Sequence, residues 1–215
     1  MNHNELSHLR PKLESALELL TLELSPQQVD LLMEYLLLLQ KWNKVYNLTA
    51  IRDPEEMLTK HLIDSLAVVP HIDSESIIDV GTGGGLPGIP LAICFPERRI
   101  DLLDSNSKKT RFLIQAKAQL GLNNTQVWHK RVEEYQPEPL YDAVISRAFA
   151  SLEDMLTWTH HLIPEGGVWW AMKAQKETED LAGLPEYAEV TRIIELQVPG
   201  LDAQRRLIQA QKKAD

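Results

Sequence analysis

The chain has 215 residues, 44% of them hydrophobic and 25% charged, with a net charge of −9. This is the profile of an ordinary globular protein, long enough for one full α/β domain with an appendage. One cysteine, Cys94, leaves no disulfide framework and no cysteine-based zinc site, which fits a reducing cytoplasm, and no residue is singled out as a metal ligand. The acidic total argues against a general nucleic-acid binder, whose footprint is basic. No signal peptide is expected at the N-terminus, and the longest apolar run, Tyr35 to Leu39, is far too short to span a membrane.

The N-terminal third reads as helical. Leu9, Leu13, Ala16, Leu17 and Leu20 recur at a helical period across residues 6–22. Ser25, Pro26 and Gln28 form a helix start: a capping serine, a proline at the first helical position and a glutamine that completes a capping box. That helix runs to about Lys44 with Val29, Leu32, Met33, Leu36, Leu39 and Trp42 inward. Asp53 and Pro54 start another, which carries Met57, Leu58, His61, Leu62, Ser65, Leu66 and Val69 to Pro70. Residues 1–72 are therefore expected to be a helical extension.

From residue 76 strands and helices alternate. Strands are expected over 76–80, 99–104, 125–129, 142–146 and 167–173, with helices over 88–95, 107–120 and 152–162. Such alternation implies a mostly parallel sheet covered on both faces. Residues 190–198 and 205–211 are separated by a connection too short for a helical crossover, so they should pair antiparallel. Residues 73–215 thus read as one compact unit. A parallel sheet closed by a terminal hairpin, seven strands in all, resembles the Rossmann-like fold of S-adenosylmethionine-dependent methyltransferases more than the all-parallel dinucleotide fold.

Where the first of these strands ends, five glycines fall within eight residues: Gly81, Gly83, Gly84, Gly85 and Gly88. Strand, glycine loop and helix in that order let backbone approach a nucleotide-like ligand. Gly83, Gly85 and Gly88 satisfy the dinucleotide pattern literally. Asp104 ends the next strand, where a carboxylate can accept from ribose hydroxyls or, more plainly, cap the helix that follows. Pro87 and Pro90 stiffen the loop and remove donors that a pyrophosphate would need. After the third strand come Arg131, Val132 and Glu133. In the methyltransferase fold this position lies beside the adenine: Val132 would pack on the ring, and its amide or Glu133 would take the adenine edge. The alternative for Glu133 is an exposed helix start.

The end of the fourth strand reads Ser146-Arg147-Ala148-Phe149. It lacks the Asn/Asp-Pro-Pro-aromatic device that binds an exocyclic amino group, and it lacks a thiol for attack on a pyrimidine ring. No base for removing a hydroxyl proton is evident. Acceptors that are already nucleophilic remain, such as guanine N7, which needs only alignment, desolvation and electrostatic support. Arg147 can donate to guanine O6, to a phosphate or to a carboxylate, or it can be a salt bridge at a strand end.

The segments Lys41–Thr49, His61–Ser65 and Asp79–Leu91, with Asp104-Ser105, Arg131-Val132-Glu133, Ile145–Ala148 and Lys173, resemble the glucose-inhibited division protein B family, also called ribosomal RNA small subunit methyltransferase G. The resemblance runs in order along nearly the whole chain. It implies transfer of a methyl group from S-adenosylmethionine to N7 of one guanine in 16S ribosomal RNA, free or in the small ribosomal subunit; a cytoplasmic monomer is expected. It implies cofactor contacts at Gly81, Leu86, Asp104, Val132, Glu133 and Arg147, to which the glycine pattern adds Gly83 and Gly85 as candidates. It places Asn47, His61, Asp64 and Ser65 at the pocket mouth, with Arg147, Asn47, His61 and Ser65 as catalytic candidates. Basic side chains at Lys108, Arg111, Arg131, Lys173 and Arg205 are the candidate RNA contacts. Plainer roles stay open: Trp42 in the core, Asn43 and Asn47 as caps, His61 and Ser65 as a buried pair, and every basic cluster, Lys173 with Lys176 included, as a solvated face. Two other functions compete, an NAD-dependent oxidoreductase and a non-catalytic RNA-binding or assembly factor.

Overall fold

The computed structural model describes residues 6–174 and 183–214; Lys176 lies outside them. After a short 3-10 turn the chain forms α1 (Arg10–Leu19) and α2 (Pro26–Tyr46). The expected capping box is present: the Ser25 hydroxyl accepts from the Gln28 amide, and the Gln28 side chain accepts from the Ser25 amide. The helix runs past Lys44 and stops at Asn47, which takes the left-handed conformation (φ 50°) that asparagine tolerates better than most residues.

The next helix is continuous in sequence pattern but not in geometry. An α-helical turn α3 (Pro54–Met57) widens into a π-helical segment over Leu58–Ile63, then returns to α-helix as α4 (Asp64–Leu66). A π-helical turn keeps its apolar side chains near one face, so the 3.6-residue period of the sequence does not reveal it.

Seven strands follow: β1 (Ser76–Val80), β2 (Arg99–Asp104), β3 (Val127–His129), β4 (Ala143–Ser146), β5 (Val168–Ala174), β6 (Ala188–Leu196) and β7 (Arg205–Lys212). The helices between them are α5 (Gly88–Cys94), α6 (Ser107–Leu120) and α7 (Leu152–Thr159). The sheet order is β3-β2-β1-β4-β5-β7-β6, parallel from β3 through β5, with β7 antiparallel to both β5 and β6. The terminal pair is the hairpin expected from its short connection, and a bulge between Val190 and Arg192 interrupts its register.

Side chains alternate across the sheet at the period of two. Ile77, Leu102, Ile145 and Trp170 face one apolar layer with α2, α5 and α6; Ile78, Leu103, Val144 and Trp169 face the other with α7. The first layer also contains Leu9, Leu13 and Leu17 of the N-terminal helices. The helical segment therefore shares the core of the sheet and brings the end of α2 and the π-helical turn to the ends of β1 and β4.

Candidate active site at the switch point of the sheet

Strand order reverses between β1 and β4, and in open α/β sheets the crevice beyond such a point binds ligands. Three adjoining clefts lie there, of about 390, 190 and 290 Å³. Gly81 and Ala148 border the first and second, and His61 and Arg147 border the second and third. Together they form one trough from β3 across β1 to β7, within the size range of small-molecule sites.

The glycine loop forms the floor. Gly81 has φ 69°, and a Cβ there would stand 2.7 Å from Cβ of Ala148. Glycine is thus required twice, by backbone conformation and by the close approach of the β4 loop. Gly88 meets a different limit, a Cβ at 2.2 Å from Leu102, which fixes how tightly α5 sits on the sheet. Asp79 staples the loop to its strand: Oδ2 accepts from the Thr82 hydroxyl (2.6 Å) and the Gly88 amide (2.8 Å), while Oδ1 is buried with no hydrogen-bond partner. Burial raises its pKa to about 6 against the pull of those two donors. From α2 the buried Tyr35 hydroxyl donates to Gly84 O at 2.7 Å, and burial pushes that phenol upward.

The loop has few donors left. The amides of Gly81 and Thr82 go to Leu103 O, that of Gly83 to Asp104, those of Gly85 and Leu86 to Thr82 O, and that of Gly88 to Asp79. Pro87 has no amide to give. A pyrophosphate would need these amides, so the loop suits a nucleoside-like ligand without phosphates.

Asp104 is 6% exposed and lines the first cleft. It accepts from the amides of Gly83 (2.9 Å) and Asn106 (2.8 Å) and stands 3.8 Å from Lys109. The cap of α6 is the Asn106 side chain, so Asp104 is not consumed by that role. Arg131, Val132 and Glu133 line the same cleft from a 3-10 turn, with Phe149 and Trp158 opposite.

At the other end of the trough a polar chain links four elements. Asn43, buried in α2, donates to Ile51 O and accepts from the Thr49 amide, both at 2.8 Å, and so folds the loop after α2. That loop presents the Thr49 hydroxyl to His61 Nε2 at 2.7 Å. The imidazole lies in the π-helical segment, and burial first, then the neighbouring Arg147 cation, lowers its pKa to about 4. It is neutral at pH 7. Both ring contacts are satisfied when Nδ1 carries the proton and donates to Lys60 O (3.2 Å) while Nε2 accepts from Thr49. Next to it Asp64, 1% exposed, accepts from Arg147 Nη1 (3.2 Å) and from Arg205 Nε (3.0 Å).

The trough therefore gathers Gly81, Gly83, Leu86, Asp104, Arg131, Val132, Glu133, His61, Asp64, Arg147, Lys173 and Arg205. Other candidates sit elsewhere. Asn47 is an exposed C-cap that accepts from Arg52. Ser65 is wholly buried and donates to His61 O, so it pairs with the backbone of His61 and not with the ring. Gly85 is packed under the loop, where a Cβ would strike Ile89 at 2.5 Å. Lys108 and Arg111 are exposed on α6. Two expected RNA contacts, Lys173 and Arg205, line the third cleft and are also held by protein partners. The Lys173 ammonium is buried and donates to Phe149 O (2.9 Å) and Ala150 O (3.0 Å), bracing the β4 loop, and Arg205 is turned inward onto Asp64.

Tyr35, Asp79 and Thr49 were not legible as site residues, and Arg205 was legible as a basic candidate but not as a partner of Asp64. A tyrosine within an inward helical run carries a weak signal, since its hydroxyl must find an acceptor when buried.

The sheet order, the antiparallel hairpin and a cleft built for a nucleoside-like ligand define the methyltransferase class of Rossmann-like proteins. Solved structures agree on the fold: a putative O-methyltransferase from Klebsiella pneumoniae aligns with TM-score 0.60 at 13% identity over 100% of both chains. An O-methyltransferase from Bacillus cereus aligns with TM-score 0.56 at 18% identity, covering 84% of this chain and 91% of that one. Within that class the chain belongs to the rRNA small subunit methyltransferase G family, whose sequence model matches residues 28–209. A family member from Hydrogenovibrio crunogenus, named ribosomal RNA small subunit methyltransferase G, is 62% identical over 99% of this chain and 98% of its own length. One of the same name from Vibrio vulnificus is 48% identical over 97% of this chain and 99% of its own.

Proposed function

We propose that the chain methylates N7 of a guanine in 16S ribosomal RNA with S-adenosylmethionine as donor, acting on the free RNA or on the small ribosomal subunit as a cytoplasmic monomer. The observation that carries this reading is the acceptor end of the trough, which among the described residues has no group suited to removing a proton. His61 is a weak base held neutral, Asp64 is engaged by two arginines, and the single thiol, Cys94, is buried and pushed up to about 12. Guanine N7 needs no proton removed.

S-adenosylmethionine supplies, when bound, an electrophilic methyl group on a sulfonium centre. The residues present fit its nucleoside end: Asp104 accepts from ribose hydroxyls, Val132 and Glu133 lie at the adenine position, and Gly81 lets the β4 loop close against the floor of the cleft. Arg147 holds the acceptor base by donating to guanine O6. Its Nη1 pairs with Asp64, a carboxylate shared with Arg205, which weakens the field that Arg147 sets against the positive charge that N7 methylation leaves on the ring. The helical extension, residues 1–72, serves the catalytic unit, residues 73–215, by supplying Leu39, Thr49 and His61 to the trough wall. Among the described residues no helix is long and apolar enough to cross a membrane.

The test is methyl transfer from labelled S-adenosylmethionine to 16S RNA from a strain lacking the protein, followed by mapping of the modified base. Label on a guanine at N7 is expected. Label on an exocyclic amine or a ribose would overturn the acceptor assignment, and tight binding of NAD without S-adenosylmethionine would overturn the donor.

A further inference from the structure

Charge is not spread evenly along this acidic chain. Residues 35–52 and 105–132 contain nine of its 22 Lys and Arg and none of its 31 Asp and Glu. The fold places these two stretches side by side. Gln119 near the end of α6 donates to Glu34 in α2 (3.1 Å), and Trp42 near the end of α2 packs on Phe112 in α6, with ring centroids 5.7 Å apart. The two helices are therefore antiparallel, and the last turn of α2 lies beside the first turn of α6. Lys44 is exposed on one and Lys108 and Arg111 on the other.

Between these cations the surface carries apolar groups that a solvated face does not need. Val45 is 70% exposed and Tyr46 is 39% exposed. The Tyr46 ring is stacked on Trp42 at 5.0 Å and 27°, and Trp42 rests on Phe112, so the tyrosine is held in place from beneath. Two residues further on, Leu48 and Thr49 line the middle cleft of the trough. A fixed, exposed aromatic ring flanked by exposed cations at the rim of the trough has the chemistry of a single-stranded nucleic-acid platform: the ring stacks a base and the cations follow the backbone.

We propose that the last turn of α2 and the first turn of α6 form a docking surface for a single-stranded RNA segment, in which Tyr46 stacks a base next to the target guanine and Lys44, Lys108 and Arg111 contact its phosphates. This rests on the RNA methyltransferase reading above. It also answers how so acidic a protein holds RNA: the two acid-free stretches meet at one rim of the trough, although Asp104 and Glu133 line its first cleft.

The test uses the full chain and 16S RNA from a strain lacking the protein. KM for RNA, kcat and S-adenosylmethionine affinity are measured for wild type, Tyr46→Ala and Tyr46→Phe, with thermal midpoints as the check on folding. Tyr46→Ala is expected to raise KM for RNA about tenfold or more at unchanged kcat and cofactor affinity, and Tyr46→Phe to retain the wild-type KM. The double variant Lys44→Gln/Lys108→Gln is expected to lower the slope of log KM against log salt by between about one and two. An unchanged KM in Tyr46→Ala, a Tyr46→Phe defect as large as that of alanine, or an unchanged salt slope overturns the surface while the function stands. Wild-type protein that transfers no methyl group to this RNA overturns both.

Discussion

The Thr49 hydroxyl stands 2.7 Å from Nε2 of His61, and this contact ties the loop after α2 to the π-helical turn at the trough. Thr49 is itself placed by Asn43, which takes its amide, and its hydroxyl also accepts from the Ile51 amide at 3.2 Å. Thr49→Val keeps the shape but leaves Nε2 of a buried imidazole and the Ile51 amide without partners. A loss of about 1–3 kcal/mol is expected in denaturant unfolding, the cost of buried groups left unpaired. Methyl transfer should fall with it, because His61 and the loop both face the cleft. Unchanged stability would show that water replaces the hydroxyl freely.

His61 gives the protein a pH dependence of known sign. Its folded pKa of about 4 lies below the ordinary histidine value near 6.5, so the unfolded chain takes up this proton first. Its contribution is fully present above pH ~6.5 and is lost progressively as pH falls through 6.5 towards 4. The stability of wild type minus that of His61→Gln, measured at several pH values, should decline across this window and level off below it. A difference that stays flat would mean that the ring is accessible and titrates normally.

Much of the scaffold could be read from the sequence because it rests on local chemistry. The alternation of strand-like and helix-like stretches laid out the sheet, Ser25 and Gln28 the start of α2, and the short connection after β6 the antiparallel pair. What could not be read depends on distance or on a change of helix type. Asp64 meets Arg147 and Arg205 at separations of 83 and 141 residues, and no local pattern announces either contact. Lys173 and Arg205 read as surface cations because basic residues usually are, yet the sheet turns one into the β4 loop and the other onto a buried carboxylate. Ser65 and His61 read as one helical face, but the ring meets Thr49 while the Ser65 hydroxyl turns back onto the carbonyl four residues earlier, as serines in helices commonly do.

Gly81→Ala tests the floor of the trough. The backbone at φ 69° costs an L-residue about 1–2 kcal/mol, and the added methyl would stand 2.7 Å from Ala148 Cβ, so the β4 loop must move. That loop begins with Arg147 and is braced by Lys173, and its shift opens both ends of the cleft. S-adenosylmethionine affinity, measured by calorimetry, is expected to fall at least tenfold, with a lower thermal midpoint. Wild-type affinity in a folded variant would remove Gly81 from the cofactor site.

Asp64→Asn tests the acceptor end. The carboxylate is 1% exposed and gives one oxygen to Arg147 and the other to Arg205, whose side chains keep 28% and 23% of their surface in water. The amide retains one acceptor, loses the charge and turns a donor towards a guanidinium. Because the arginines reach solvent, the cost should lie near that of a charged hydrogen bond, about 1.5–3 kcal/mol, and below that of a fully buried pair. The effect on catalysis should be larger than this loss suggests. Arg147 is then less firmly held and loses its nearest counter-charge, so its charge opposes the cationic ring formed at N7 more strongly. The expected signature is a fall in kcat of about tenfold or more at unchanged S-adenosylmethionine affinity. Arg205→Met should reproduce only part of it, since Asp64 still balances Arg147. A kcat that tracks Arg205→Met and Asp64→Asn equally would place the effect in the hairpin anchor, and not in the charge of Arg147.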